Sequence, residues 1–203
     1  MPPRLSPKPT PVTPDEPDGR RRRSLDSRAR IVEAMLELVH GGELSPSAEQ
    51  VAERAGVGLR SVFRHFKDMD SLYREMAKVI EAELTSINDR PIQANDRTER
   101  LIEIVGRRSA VFEKISPYKR AGELQRHRSA FLDAGHQRLN AISRDILRRE
   151  MPASAVRNRL VFEALDALLS WETWSRLRRD QGLTARRARE VLEVTIRRLI
   201  DEP

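Results

Sequence analysis

Cysteine is absent from the 203 residues of this chain. Its absence excludes disulfides, thiolate zinc sites and a cysteine nucleophile together, and it agrees with a reducing compartment. Aromatic residues are also scarce, at 4% of the sequence. This scarcity argues against a pocket for a large, flat aromatic ligand.

Long apolar runs are missing too. No stretch of 18 residues is apolar, and no basic segment precedes a hydrophobic one near the start of the chain. A membrane-spanning helix needs about 20 apolar residues, and a secretory signal needs both segments. We therefore expect a cytoplasmic protein that does not enter a membrane.

The nine glycines are scattered and form none of the loops that bind phosphates or cofactors. GxGxxG and GxxxxGK patterns are absent, as are the GxSxG and HExxH patterns of hydrolases and zinc enzymes. Nothing in the sequence places His127 beside His136. We expect no cofactor, no metal and no catalytic residues.

Positive charge, in contrast, is plentiful. The chain has 38 Lys and Arg against 31 Asp and Glu, a formal net charge of +7. Such a balance favours a polyanionic partner, and nucleic acid is the commonest one. Ribosomal and membrane-surface proteins share this property, so the charge alone does not identify the partner, and a sequence motif is needed to do so.

The stretch 47–66 has the pattern of two short helices joined by a tight turn. Ser47 and Gln50 are spaced as a capping box, which predicts the start of a helix. Gly56 follows the apolar residues of that helix, where a left-handed residue ends a helix at little cost. Only two residues then remain before a second helix. This order is typical of a helix-turn-helix.

The second helix of this stretch has an apolar and a cationic side. At 100° per residue, Leu59, Val62 and Phe66 fall within about 60° of one another. The opposite side is cationic, and small, polar or aromatic residues flank it. A recognition helix buries one side and presents the other to DNA. An ordinary amphipathic surface helix would share the charged side, though not the capped helix and turn before it.

The residues from Ser27 to Met76 resemble the DNA-binding domain of the tetracycline-repressor (TetR) family of bacterial transcription regulators. In that family a sequence similar to AGVSxGTxYxHFxxKxxL covers the turn and the second helix, and Ala55 to Leu72 reads AGVGLRSVFRHFKDMDSL. The resemblance implies a homodimeric regulator, most often a repressor, that reads a near-palindromic operator in double-stranded DNA through the major groove.

Four positions depart from the family pattern. Gly58 replaces the usual capping Ser, and Arg60 replaces the usual Gly. Phe63 replaces a Tyr and lacks its phosphate-binding hydroxyl, while Met69 replaces a Lys and lacks its charge. Arg60 can restore that charge. The residues predicted to contact DNA are Arg28, Arg30, Ser47, Leu59, Arg60, Ser61, Phe63, Arg64, His65 and Lys67.

The start of the chain is rich in proline and continues into four arginines, Arg20–Arg23. We expect a disordered basic N-terminal arm over residues 1–23. Its arginines either enter a minor groove, as basic arms do in other folds, or form a solvated tail that adds non-specific attraction. The helix-turn-helix domain is expected over 24–88, with a first helix capped by Asp26 or Ser27.

Residues 89–203 are predicted to form a helical regulatory and dimerisation domain. A capping box at Asp96 opens a helix that should end near Pro117. A helix from Ser154 to about Asp180 is apolar over more than half of its circumference, which favours contact with a second chain as well as a core. The residues expected in a homodimer interface are Leu165, Leu168, Leu169, Val191, Leu192 and Leu199.

The other apolar faces of this domain form either a solid core or a pocket. The resemblance favours a pocket for a small hydrophobic or amphipathic effector, since such pockets are apolar with a few polar groups. The tryptophan pair is either core or interface, or lines that cavity. The candidate lining residues are Ile104, Phe112, Tyr118, Gln125, Phe131, Trp171 and Trp174.

We therefore predict an all-α protein with an N-terminal three-helix DNA-binding domain and a C-terminal helical domain for ligand binding and dimerisation. It should regulate transcription and have no enzymatic activity. The alternative is an all-α enzyme or protein-interaction module with an incidental helix-turn-helix. That alternative requires a cluster of acids, bases or metal ligands in the second half, and the sequence shows none.

Overall fold

The computed structural model describes residues 16–88, 90–151 and 158–201, and every regular element in these ranges is a helix. The all-α prediction is confirmed. Residues 1–15 of the expected arm, and the helix start expected at Ser154, lie outside the described residues. The helices are α1 (Glu16–His40), α2 (Ala48–Ala55), α3 (Leu59–His65), α4 (Met69–Asn88), α5 (Arg97–Arg126), α6 (Ala130–Glu150), α7 (Arg159–Leu168), α8 (Trp171–Ser175, continued by a π-helical turn over Arg176–Asp180) and α9 (Ala185–Asp201).

The first helix begins earlier than expected. Because α1 starts at Glu16, the prediction of a disordered arm up to residue 23 is wrong for residues 16–23. Asp26 and Ser27 lie inside the helix, and the Ser27 hydroxyl donates to the Arg23 carbonyl oxygen at 2.9 Å instead of capping a helix start. Arginine is a good helix former, so the run Arg20–Arg23 extends the helix.

Helices α1 to α4 enclose an N-terminal core. Ile31, Met35 and Val39 of α1 are fully buried, together with Val51 of α2 and Leu72 of α4. The spacing of four residues along α1 puts these side chains on one face of the helix. Helices α2 and α3 pack against α1, so a hydrophobic core holds the helix-turn-helix in place.

The long helix α5 passes through both halves of the molecule. It includes Pro117, so the prediction that a helix ends near this residue is wrong. A proline inside a helix costs about 3 kcal/mol or more. Burial on both sides of it opposes that cost, because each fully buried apolar side chain contributes about 1.5–3 kcal/mol. Leu101 and Val105 are buried in a C-terminal core, and Ala121 is buried in the N-terminal core.

The C-terminal core collects side chains from five helices. Its fully buried members include Leu101 of α5, Leu147 of α6, Leu165 of α7, Trp174 of α8 and Ile196 of α9. Among the described residues, none of the helices combines the length and the hydropathy that a membrane-spanning segment requires.

Two helices replace the single helix predicted from Ser154 to Asp180. Helix α7 ends at Leu168, and α8 begins at Trp171. Between them the Ser170 hydroxyl accepts a hydrogen bond from the Thr173 N–H at 3.2 Å. A serine in this position caps a new helix and competes with continuation of the old one.

Three of the six residues expected at the dimer interface belong to the C-terminal core instead. Leu165, Leu169 and Leu192 are at most 4% exposed, so they cannot contact a second chain. They are buried because α7 and α9 pack against each other and α9 packs against α5. The other three, which remain partly or fully exposed, are Leu168, Val191 and Leu199.

Packing of α5 in the N-terminal core is tested by Ala121→Leu. Ala121 has no exposed surface, and overpacking a filled core costs about 1–3 kcal/mol. We expect urea unfolding to show a loss of stability of this size. Ala130→Leu makes the same change at an exposed residue of α6 and is the control. Equal stability of the two variants would contradict the shared core.

Candidate nucleic-acid interface

The first helix of the helix-turn-helix, α2, is fixed at both ends as predicted. The Ser47 hydroxyl accepts from the Gln50 N–H at 3.2 Å, and the Gln50 side-chain oxygen accepts from the Ser47 N–H at 2.7 Å. Gly56 has a left-handed backbone with φ 63°. The Val57 N–H then reaches the Ala52 carbonyl oxygen at 3.0 Å. Since glycine adopts positive φ without strain, Gly56 sets the direction in which the chain enters α3.

Helix α3 has one buried and one exposed cationic side. Val62 and Phe66 are 1% and 3% exposed. Arg60, Arg64 and Lys67 are exposed. In the described part of the chain, no carboxylate forms an ion pair with these three side chains. The predicted division of α3 is therefore confirmed for Arg60, Val62 and Arg64. Phe66 and Lys67 lie just after the end of α3, where Phe66 is buried and Lys67 is exposed, and the three cations are available to an anion.

Two apolar side chains of α3 are exposed beside these cations. Leu59 is 38% exposed and Phe63 is 50% exposed. The prediction that Leu59 shares the buried side is wrong, because α3 begins at Leu59 and reaches the core one turn later, at Val62. Exposed apolar groups on a recognition helix can contact thymine methyl groups.

Arg28 holds α3 from inside the domain. Its Nη1 donates to the His65 carbonyl oxygen at 3.0 Å, and its Nη2 lies 3.2 Å from Glu75 Oε1. The guanidinium carbon is 4.4 Å from the centre of the Phe66 ring. One side chain thus connects α1 with the end of α3 and with α4. The structure gives Arg28 this positioning role, and because its side chain is still 37% exposed, the predicted phosphate contact stays a prediction.

His65, the last residue of α3, is partly buried. Its Nε2 atom is buried and has no hydrogen-bond partner among the described residues. Burial lowers the pKa of His65, and the charges of Arg64 and Arg28 lower it further, because all three disfavour the imidazolium form. The buried Nε2 cannot reach DNA, but the residue as a whole is partly exposed, so the predicted DNA contact of His65 stays a prediction.

The remaining polar residues differ in their access. Arg30 is exposed, but it lies about 160° around α1 from Arg28 and therefore faces away from α3. Ser61 is partly buried, and its hydroxyl accepts from Arg64 Nη2 at 3.1 Å. Ser47 is exposed, and its hydroxyl hydrogen can still be donated to a phosphate.

Two cavities lie farther from α3. The smaller has a volume of about 110 Å³, lies among α4, α5 and α6, and is lined by Tyr118 and Phe131. The larger has a volume of about 410 Å³, lies among α5, α6, α7 and α8, and is lined by Ile104, Phe112 and Trp171. The structure thus divides the single predicted pocket into two.

Two residues expected in the pocket line neither cavity. The Gln125 amide donates to the Ser45 hydroxyl at 3.0 Å. Trp174 is 1% exposed, and its Nε1 donates to Glu113 at 3.0 Å. Both are excluded because their polar groups are used in contacts between elements. The cavities have polar lining residues that our sequence analysis missed, namely Arg108, Lys119, His136 and Asp166.

Comparison with known proteins gives a structural likeness. Neither a protein-family model nor a curated protein matches the chain. The fold is similar to that of a solved TetR transcriptional regulator from Rhodococcus sp. RHA1, with a TM-score of 0.44 and 18% sequence identity. The likeness covers 87% of this chain and 95% of that one.

The exposed side of α3 is tested by Arg60→Ala. Loss of a bidentate contact with guanine should weaken binding to a preferred DNA site by about 1–3 kcal/mol and relax the preference at one base position. Loss of a phosphate contact should weaken binding to all sequences and lower the salt slope by about 1. Fluorescence anisotropy measures both quantities. Arg186→Ala removes the same charge from the far end of the chain and is the control. An unchanged affinity and salt slope in Arg60→Ala would contradict the assignment of α3.

A second prediction concerns pH. Because the folded chain lowers the pKa of His65 below its ordinary value of 6.5, the unfolded chain binds the proton more readily. Stability should then fall as the pH drops from about 7.5 to about 5.5. Urea unfolding should show a smaller fall for His65→Gln than for His127→Gln, whose parent residue is exposed. The pKa of His136 is also lowered, so part of the fall should remain. An equal fall in both variants would contradict the buried position of His65.

Proposed function

We propose that the protein is a DNA-binding regulator of transcription that acts as a homodimer on a near-palindromic operator. The observation that supports this most directly is the arrangement of α3. Arg60 and Arg64 of α3 and Lys67 just after it are exposed, while Val62 of α3 and Phe66 at its end are buried in the core. A short helix held in this way can enter the major groove with its cationic side forward.

The fixed orientation of α3 distinguishes this arrangement from a merely basic surface. The capping box of Ser47 and the left-handed Gly56 set the entry of α3. Arg28 and Phe66 hold its other end against α1 and α4. Side chains read a DNA sequence when they lie within hydrogen-bonding distance of base edges. Because the position of α3 is fixed, the arrangement favours sequence-specific over non-specific DNA binding.

We place the contact with a second chain on α7 and α9. Leu160, Val191 and Val194 are 83%, 36% and 51% exposed, and α7 and α9 pack side by side. An apolar surface formed by two adjacent helices is removed from water when a second copy meets it around a two-fold axis. Leu168 and Leu199, which are partly buried against the C-terminal core, remain candidates for the same contact.

The cavities support an effector-binding role, and hence a repressor that releases DNA when the effector binds. The larger cavity, at about 410 Å³, falls in the range of roughly 300–1,000 Å³ that is usual for small-molecule sites. Met76 and Ile80 of α4 line the smaller one, and α4 also receives the Arg28 contact that holds α3. An effector can shift DNA affinity only if it binds one arrangement of these helices better than the other.

Titration of the full chain with random-sequence DNA at rising salt tests the proposal. Affinity should fall by about a thousandfold or more between about 50 and 200 mM salt, because several phosphate contacts are lost to counterions. Replacing Arg60, Arg64 and Lys67 by alanine together should lower the salt slope by about 3. Binding that is weak at all salt concentrations, or unaffected by the triple replacement, would favour the enzyme or protein-interaction alternative.

The dimer is tested by Val194→Arg. The side chain is 51% exposed in a single chain, so the substitution should leave the fold intact and place a desolvated charge in the interface, at a cost of several kcal/mol. Sedimentation should show a dimer for the native chain and a monomer for the variant at micromolar concentration. Leu124→Arg introduces the same group at a residue of α5 that is 49% exposed, and it should remain dimeric. A monomeric native chain would refute the dimer.

A further inference from the structure

One face of α5 lines both cavities. Arg108, Phe112, Ile115 and Lys119 follow one another at intervals of four, three and four residues, which keeps them on one side of a helix. Arg108 and Phe112 line the larger cavity, whereas Ile115 and Lys119 line both. A cation therefore stands at each end of this face, about 16 Å apart along the helix axis, with apolar side chains between.

The guanidinium of Arg108 is only partly satisfied by the protein. Its Nη1 donates to the Leu169 carbonyl oxygen at 3.0 Å, and its Nη2 donates to the Ser143 carbonyl oxygen at 2.6 Å. A guanidinium has five N–H donors, so three find no acceptor among the described residues. Burial lowers the pKa of Arg108 to about 10, and the group is still charged at neutral pH.

Two carboxylates, Asp166 and Glu172, also line the larger cavity, and the charge of Glu172 acts on Lys119, whereas that of Asp166 acts on Arg108. Asp166 is ion-paired with Arg144, which also binds Glu163 at 2.9 Å. Lys119 is held against His136, with 3.2 Å between Nζ and Nδ1. In the described ranges neither Arg108 nor Lys119 has a carboxylate at ion-pair distance. A buried cation without a paired anion is unfavourable, so the cavity favours an anionic guest.

We propose that the larger cavity binds an amphipathic carboxylate, with its head group on the free N–H donors of Arg108 and its apolar body along Phe112 and Trp171. The Phe112 and Trp171 rings meet edge to face at 5.8 Å and provide the apolar wall. A carboxylate accepts two parallel hydrogen bonds from a guanidinium. A neutral ligand would leave Arg108 unpaired, and a cationic ligand would be repelled by it. This inference rests on the proposed effector role of the cavity and adds the chemical class of the ligand.

Tryptophan fluorescence reports on this site in the full chain. The chain has two tryptophans, and the rings of both Trp171 and Trp174 lie within 6.4 Å of the Phe112 ring. Octanoate, octanol and octylamine are titrated as probes of equal chain length. Octanoate should bind the native chain at least about tenfold more tightly than the other two, because hydrogen bonds between charged groups are stronger than neutral ones.

Arg108→Gln removes the positive charge and keeps a hydrogen-bond donor, so it tests the effect of the charge alone. Glutamine can still donate to one carbonyl oxygen, so octanol should bind as before while the preference for octanoate disappears. Arg108→Lys keeps the charge and should keep a preference for octanoate. If Arg108→Gln does not fold, the preference of Arg108→Lys for octanoate is the result that tests the site. Arg186→Gln, at an exposed site of α9, should behave as the native chain does.

Three results would overturn the carboxylate site: octanol or octylamine binding as tightly as octanoate, no binding of any probe, or a preference for octanoate that survives in Arg108→Gln. DNA affinity is measured in a separate experiment, with and without octanoate. If octanoate binds through Arg108 and DNA affinity does not change, the effector part of the proposed function fails while the site remains. If a bound carboxylate releases DNA, both hold.

Discussion

Burial of α5 in two hydrophobic cores is the constraint on which the rest of the structure depends. Leu101 and Val105 fix its first half in the C-terminal core, and Ala121 fixes its second half in the N-terminal core. Two hydrogen bonds add to this burial. The Gln125 amide of α5 donates to the Ser45 hydroxyl in the loop that precedes α2. The Ser129 hydroxyl, just ahead of α6 in the chain, donates to Asp70 in the first turn of α4. The half of the molecule that contains α1 to α4 therefore packs directly against α5, which lines both cavities. This gives the proposed effector a mechanical route to α3.

The candidate interface separates the side chains that hold α3 from those that it presents. Arg28, Phe66 and the buried side of His65 are used inside the domain, whereas Arg60 and Lys67 extend into solvent. The cost of keeping three exposed like charges near one another is modest in water and is relieved by a polyanion. A helix held in this way is already ordered, so the proposed binding to DNA would cost little further conformational entropy.

The helix-turn-helix could be predicted from the sequence because its determinants are local. The Ser47 capping box and the left-handed Gly56 act within a few residues of themselves. The early start of α1 and the Ser170 cap are also local, and were missed. Other features depend on distant parts of the chain: the positioning contact of Arg28 needs the His65 carbonyl oxygen, 37 residues away, and Pro117 looks like a helix end until burial on both sides outweighs its cost. The cavity was only partly predictable: Ile104, Phe112 and Trp171 were expected in it, but Arg108 and Lys119 were not, because which helices surround a space depends on their packing.

The central claim is that two copies of α3 read DNA together, and selection of bound duplexes from a random pool by the full chain tests it most directly. We expect an enriched near-palindrome whose half-sites lie about one helical turn, roughly 10–10.5 base pairs, or a multiple of it, apart. Recovery of a pool without any enriched sequence, or of a single half-site with no symmetric partner, would contradict the claim.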